Sequence, residues 1–282
     1  MSIGLLVGGI GLASPTAVAG AADPGGGTGS YVLTATDDGA TYAPTFTGNA
    51  ELGVRVPSDG QGYAGGAVTT PSELAGFYAE PAGEVQRRAN IPTWSTLTFS
   101  DGGQSFNLAE GKTSRWSQSI NLRTGIITTN VLWRAANGHL TELTYAVLTD
   151  RSRPHVGLVR LTVTPRWSGL ATVTDAIDGS PATLSTQVGK AWSLSSRSDW
   201  VQVRAVGTGI RASIASRIKT SENVDATVSR IDQTTDQSVG QQLTFHVSAG
   251  QSYTTTKYVG VDTSLETSMP TGFSENGEKR SS

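Results

Sequence analysis

The 282-residue sequence has no cysteine, which excludes a disulfide, a thiolate zinc site and a cysteine nucleophile. Its three histidines, His139, His155 and His246, are far apart, and each lies inside or beside a strand-like run. Each reads first as a structural or surface residue, so a histidine metal centre or a histidine-based triad has little support. No like-charge run is longer than a pair, and 21 basic against 23 acidic residues leave a net charge of -2. The basic stripe of a nucleic-acid binder is therefore missing. The uncharged stretch from Ile3 to Val18 is too short for a spanning helix. The sequence has no GxSxG, no P-loop and no GxGxxG opening a helix; the glycines from Gly60 to Gly66 lack a following Lys-Ser/Thr and form no phosphate cradle. It also has no Asn-x-Ser/Thr sequon.

What is abundant is turn and strand chemistry: 34 Gly, 11 Pro and 68 Ser or Thr. Apolar residues make up 37% of the chain, enough to close a core. From about Ser114 onward strands and turns alternate. The runs Arg115 to Leu122, Ile126 to Trp133 and Leu140 to Leu148 are separated by Arg123-Thr124-Gly125 and by the hairpin signal Ala136-Asn137-Gly138. In the third run Leu143, Tyr145 and Val147 share one face and Glu142 and Thr144 the other, the period of a half-buried strand. The period continues at Val159, Leu161 and Val163, and at Ala171 and Val173. Further strands are expected at Trp200 to Val206, Ile210 to Ile214, Ala226 to Ile231, Leu243 to Val247 and Tyr253 to Val261. No window of twelve residues carries a 3.6-residue apolar repeat, so the expected class is all-β: about a dozen antiparallel strands in two stacked sheets.

Residues 1–21 read as a signal peptide whose n-region lacks charge. Its end, Ala17-Val18-Ala19-Gly20-Ala21, offers the small residues of a cleavage site, which makes the expected location secreted; a Gly/Ala tail on a cytosolic protein is the other reading. Residues 22–30 read as a flexible Gly-rich segment, 31–263 as the β domain, and 264–282 as a polar tail or linker. From Val56 to Trp94, glycines and prolines predict a long loop with one short helical turn at Ser72 to Phe77. It carries Tyr63, Phe77, Tyr78 and Trp94, aromatics that either pin the loop to its own sheet or meet another domain or a sugar ring.

From Gly48 to Thr164 the sequence resembles the N-terminal domain of glycoside hydrolase family 65, and within it the acid trehalases. The resemblance rests on Gly48-Asn49, Leu52-Gly53-Val-Arg55, Gly60-Gln-Gly62-Tyr63 and Leu74-Ala-Gly76-Phe77-Tyr78. Ile91-Pro92-Thr-Trp94 and Leu122-Arg123-Thr124-Gly125-Ile continue it in order. The chain departs from the pattern at Ala50-Glu51, where the family more often carries a small residue and an aromatic. The resemblance implies a large antiparallel β super-sandwich, like that of the galactose mutarotases, preceding an (α/α)6 barrel. In the family that barrel holds the catalytic acid and base, whose inverting chemistry needs carboxylates roughly 6.5 to 9.5 Å apart. No barrel is expected within these residues, so no catalytic residue, metal ligand or cofactor site is carried over.

The resemblance further implies that a loop of the sandwich walls the substrate pocket. It places Arg55, Tyr63, Phe77, Tyr78 and Trp94 at the interdomain surface, with trehalose or a related α-glucoside as the partner once a catalytic domain is present. A salt bridge inside the sandwich is the other reading of Arg55. Oligomeric state stays open. A stand-alone carbohydrate-binding or cell-surface sandwich is the alternative function. Asp37-Asp38, Asp175 and Asp178 sit in turn-like contexts where Asp serves the backbone rather than chemistry. His155 and Glu142 match a mutarotase pair in type only.

Overall fold

The computed structural model describes residues 31–39, 42–63, 72–231 and 236–265. The segments read as signal (1–21), Gly-rich spacer (22–30) and polar tail beyond Leu265 lie outside the described residues, as do Gly65 and Gly66. In chain order the strands are β1 (Val32–Ala35), β2 (Thr45–Gly48), β3 (Leu52–Val56), β4 (Ser72–Leu74), β5 (Tyr78–Ala79) and β6 (Arg87–Arg88). Next come β7 (Leu97–Ser100), β8 (Lys112–Asn121), β9 (Ile126–Arg134), β10 (Leu140–Thr149), β11 (Val156–Pro165) and β12 (Gly169–Ile177). The last six are β13 (Ser185–Ser193), β14 (Ser198–Ala205), β15 (Arg211–Thr220), β16 (Ala226–Arg230), β17 (Val239–Val247) and β18 (Tyr253–Thr263). There is no helix among the described residues.

A nine-stranded sheet in the order β1-β8-β9-β10-β11-β18-β15-β14-β13 packs on a four-stranded sheet in the order β16-β17-β12-β7. A three-stranded sheet, β2-β3-β4, and the pair β5-β6 complete the fold, and every ladder is antiparallel. Alternation produces this arrangement. Leu143, Tyr145 and Val147 of β10 stand opposite Val163, Leu161 and Val159 of β11, all buried on one face. In the smaller sheet Ala171 and Val173 of β12 face Phe245 and Leu243 of β17. Trp94, Trp133, Tyr145, Phe77 and Phe99 fill the single core. The all-β sandwich expected from the sequence is therefore observed.

The helical turn expected at Ser72 to Phe77 is not. Ser72 and Leu74 both point inward, the period of a strand, and β4 covers the open edge of β3 through the pairs Leu52↔Leu74 and Val54↔Ser72. The run expected to stop at Ile214 continues to Thr220, because Ser216 and Ile218 keep the inward alternation. β13 has no apolar alternation at all. It is an edge strand with a bulge between Gln187 and Gly189, exposed or half-buried along its length.

Candidate functional site

The motif Gly60-Gln-Gly-Tyr63 is an anchor. Gln61 is buried, its side-chain amide donating to Asp59 Oδ2 (3.2 Å) and the Phe106 carbonyl (3.0 Å), and its backbone carbonyl accepts from Leu97 N at 2.9 Å. Gly62 has φ of +88°, and a Cβ there would lie 2.7 Å from the Thr96 backbone, so only glycine lets the segment approach β7. Trp94 and Phe77 are wholly buried. The Trp94 ring occupies the space that a Cβ on Gly157 would need, at 2.8 Å. These two aromatics pin the segment to its own sheets. Tyr63 is half-buried, and burial pushes its phenol up to about 12 while the charge of Arg55 acts the other way. Arg55 stands directly across the β2-β3 ladder from Phe46, so the two side chains share a face. Of the five residues singled out in the sequence, Tyr78 is the open one, 43% exposed.

Tyr78 borders a groove of about 520 Å³ between the β2-β3-β4 sheet and the β8-β9 turn. Phe46 and Leu122 line it as well, 45% and 48% exposed. The Phe46 ring lies across Gly48 and Gly53, which face each other in register; a Cβ on Gly53 would meet the ring at 2.6 Å. Asn49 holds the hairpin between them. Its Oδ1 accepts from Leu52 N at 2.8 Å, and its amide donates to the carbonyls of Asp150 (2.7 Å) and Pro154 (2.9 Å). Glu73 and Arg88 form an ion pair at 3.0 Å on the groove wall, which also carries Glu51 and Arg151. Leu265 packs on Gly76, two residues before Tyr78.

Ala50, also on the lining, has φ of 78°, a left-handed conformation that a side chain disfavours by about 1 kcal/mol or more. Ala50→Gly is expected to raise the thermal midpoint by about 2 °C with the groove unchanged, readable by calorimetric scanning.

Among the described residues the histidines and acids singled out in the sequence do not assemble into a catalytic group. His139 stacks on Trp167 with ring centroids 4.3 Å apart and lies 3.1 Å from Asp101 Oδ2, His155 faces the Val261 carbonyl at 3.0 Å, and His246 is exposed. Glu142 pairs with Arg166 at 2.6 Å near the far end of the β10-β11 hairpin from His155, so the mutarotase pair does not assemble. Asp178 does serve a turn, accepting from the amide and hydroxyl of Ser180. Asp175 does not: it is a fully buried strand residue paired with Lys257 at 2.7 Å. Among the described residues no group of three or more His, Cys, Asp or Glu side chains could hold a metal ion, and no helix is long and apolar enough to cross a membrane. The sequence reading does not place Phe46 or Leu122 at the interdomain surface, although Leu122 opens one of the family motifs; the available signal is an apolar side chain at a turn (Leu122) and an aromatic flanked by threonines (Phe46).

Residues 33–278 match glycosyl hydrolase family 65, N-terminal domain. An uncharacterised glycosyl hydrolase of Mycobacterium tuberculosis is 27% identical over 194 residues, which is 63% of this chain and 14% of the relative. A kojibiose phosphorylase of Halothermothrix orenii is 22% identical over 156 residues, 53% of this chain and 20% of the relative. This chain thus spans a small part of each relative's length. A solved structure of a putative kojibiose phosphorylase from the human microbiome superposes with a TM-score of 0.66 at 13% identity, covering 84% of this chain and 33% of that one.

Proposed function

Because the chain belongs to glycosyl hydrolase family 65, whose N-terminal domain it carries, we propose that it is the non-catalytic N-terminal part of an enzyme acting on α-glucosides. Its role is to support, and partly wall, the active site of a helical catalytic domain. The observation that carries this reading is the groove. Three large apolar side chains, Phe46, Tyr78 and Leu122, stay nearly half exposed around a rim of Glu51, Glu73, Arg88 and Arg151. The motif likeness to acid trehalases supports trehalose or a related α-glucoside as the sugar of that enzyme, and the uncharged stretch with its small-residue end in residues 1–21 supports secretion. Arg55, the cross-strand neighbour of Phe46, and the half-buried Tyr63, whose phenol feels the charge of Arg55, are assigned to the same interdomain face.

The chain alone is expected to release no glucose from trehalose and to give no saturable heat on titration with trehalose or kojibiose. Joined to a helical catalytic domain of the family it should support turnover. The double substitution Phe46→Ala, Tyr78→Ala should then lower that turnover about tenfold while moving the stability of the isolated chain by about 1 kcal/mol or less. Saturable sugar binding by the chain alone would overturn the scaffold role in favour of a stand-alone carbohydrate-binding sandwich.

A further inference from the structure

Five polar side chains meet between the two sheets. Asp175 of β12 and Gln241 of β17 come from the four-stranded sheet; Asp199 of β14, Ser216 of β15 and Lys257 of β18 come from the nine-stranded one. All are buried. Lys257 Nζ forms an ion pair with Asp175 Oδ1 at 2.7 Å and donates hydrogen bonds to the carbonyls of Thr96 (3.2 Å) and Ala176 (2.6 Å). Asp175 Oδ2 accepts from Gln241 Nε2 at 3.1 Å and stands 3.0 Å from Ser216 Oγ. Ser216 Oγ is also hydrogen-bonded to Asp199 Oδ1, while Asp199 Oδ2 has no hydrogen-bond partner.

The proton count decides the charge state. A hydroxyl has one proton, yet Ser216 stands against two carboxyl oxygens. With both acids ionised, one of those contacts would set lone pair against lone pair, and two buried anions would share one cation. Asp175 holds the ammonium and the Gln241 amide, so the extra proton falls to Asp199.

We propose that Asp199 is kept as the neutral acid, donating to Ser216 Oγ while Ser216 donates to Asp175, and that this relay makes the union of the two sheets sensitive to alkali. Burial, and after it the negative charge of Asp175, push the Asp199 carboxyl up to about 8, with Lys257 and the Ser216 hydrogen bond acting the other way. Asp175 and Lys257 are the charged groups facing it; its register neighbours are Trp192 on β13 and Ser216 on β15. In the unfolded chain an Asp titrates at about 4. The folded value is raised, so the stabilisation from the neutral acid is complete below about pH 4. It declines as pH rises toward 8, and is gone above that.

The test compares Asp199→Asn with the parent chain by thermal unfolding across pH. The amide can donate to Ser216 as the neutral acid does, but it does not titrate. The midpoint of the parent should fall by roughly 5 °C relative to the variant between about pH 6 and pH 8; parallel curves would overturn the proposal. A second readout needs no variant. The assigned 13Cγ resonance of Asp199 should sit at the carboxylic-acid position at about pH 6 and move to the carboxylate position between about pH 7 and 9. A carboxylate resonance already present at about pH 6 would refute the relay.

Discussion

Gly207→Ala is expected to destabilise the domain by about 3 kcal/mol or more, lowering its thermal midpoint by roughly 6 to 12 °C. Gly207 has φ of +80°, and a Cβ on it would lie 1.7 Å from the Glu80 carbonyl oxygen. The obstacle is backbone, so no rotamer change relieves it. The contact matters because the turn around Gly207 is what holds β5. Glu80 N donates to the Val206 carbonyl at 2.8 Å, and Thr208 Oγ1 donates to the Tyr78 carbonyl at 2.6 Å. An alanine must push this segment outward, and Tyr78 with it, so one substitution outside the groove is expected to reshape its wall. A midpoint within about 2 °C of the parent would mean that β5 is not seated on this turn.

Lys257→Met should be comparably severe, about 3 to 5 kcal/mol by the same unfolding measurement. Methionine keeps the length and the apolar stem, so little packing is lost and the effect isolates the charge. The ammonium is wholly buried and serves Asp175 and two backbone carbonyls at once. Without it the Asp175 carboxylate is left uncompensated between the sheets, close to a second carboxyl. Adding Asp175→Asn should recover part of the loss, because it removes the stranded charge. If the double variant were no more stable than Lys257→Met alone, the stranded carboxylate would not be the source of the loss.

Much of the sandwich is legible in the sequence because burial on one face writes itself as alternation. β10 and β11 are the clearest case, with Leu143, Tyr145 and Val147 matched to Val163, Leu161 and Val159. The signal fails where polar side chains enter the core or where a strand has no buried face. Ser216 interrupts the apolar period of β15 although it points inward, and its reason for doing so lies on β12 and β14. Asp175 has the local look of a turn residue, since Asp178-Gly179 follows it closely. Its partner Lys257 is on a distant strand, and no local pattern could disclose the pair.

The groove was legible in part for a related reason. Phe77 and Tyr78 are neighbours of the same chemical kind, and which of them faces outward depends on where β5 docks. Trp94 is hidden by the absence of a side chain on Gly157. Phe46 is displayed by the absence of side chains on Gly48 and Gly53. Such complementary pairs, far apart in the chain, become visible only when it is folded.

The bulged, polar edge strand β13 has a consequence for how this molecule avoids sticking to copies of itself. A sheet that ends in unpaired backbone donors and acceptors offers a template to any extended chain. At that margin the register slips between Gln187 and Gly189, Lys190 follows, and its ammonium turns back to the Ser238 carbonyl at 2.9 Å. An incoming strand would meet a kinked ladder with few apolar side chains to bury. The β13 margin is thereby made a poor seed for sheet extension and aggregation.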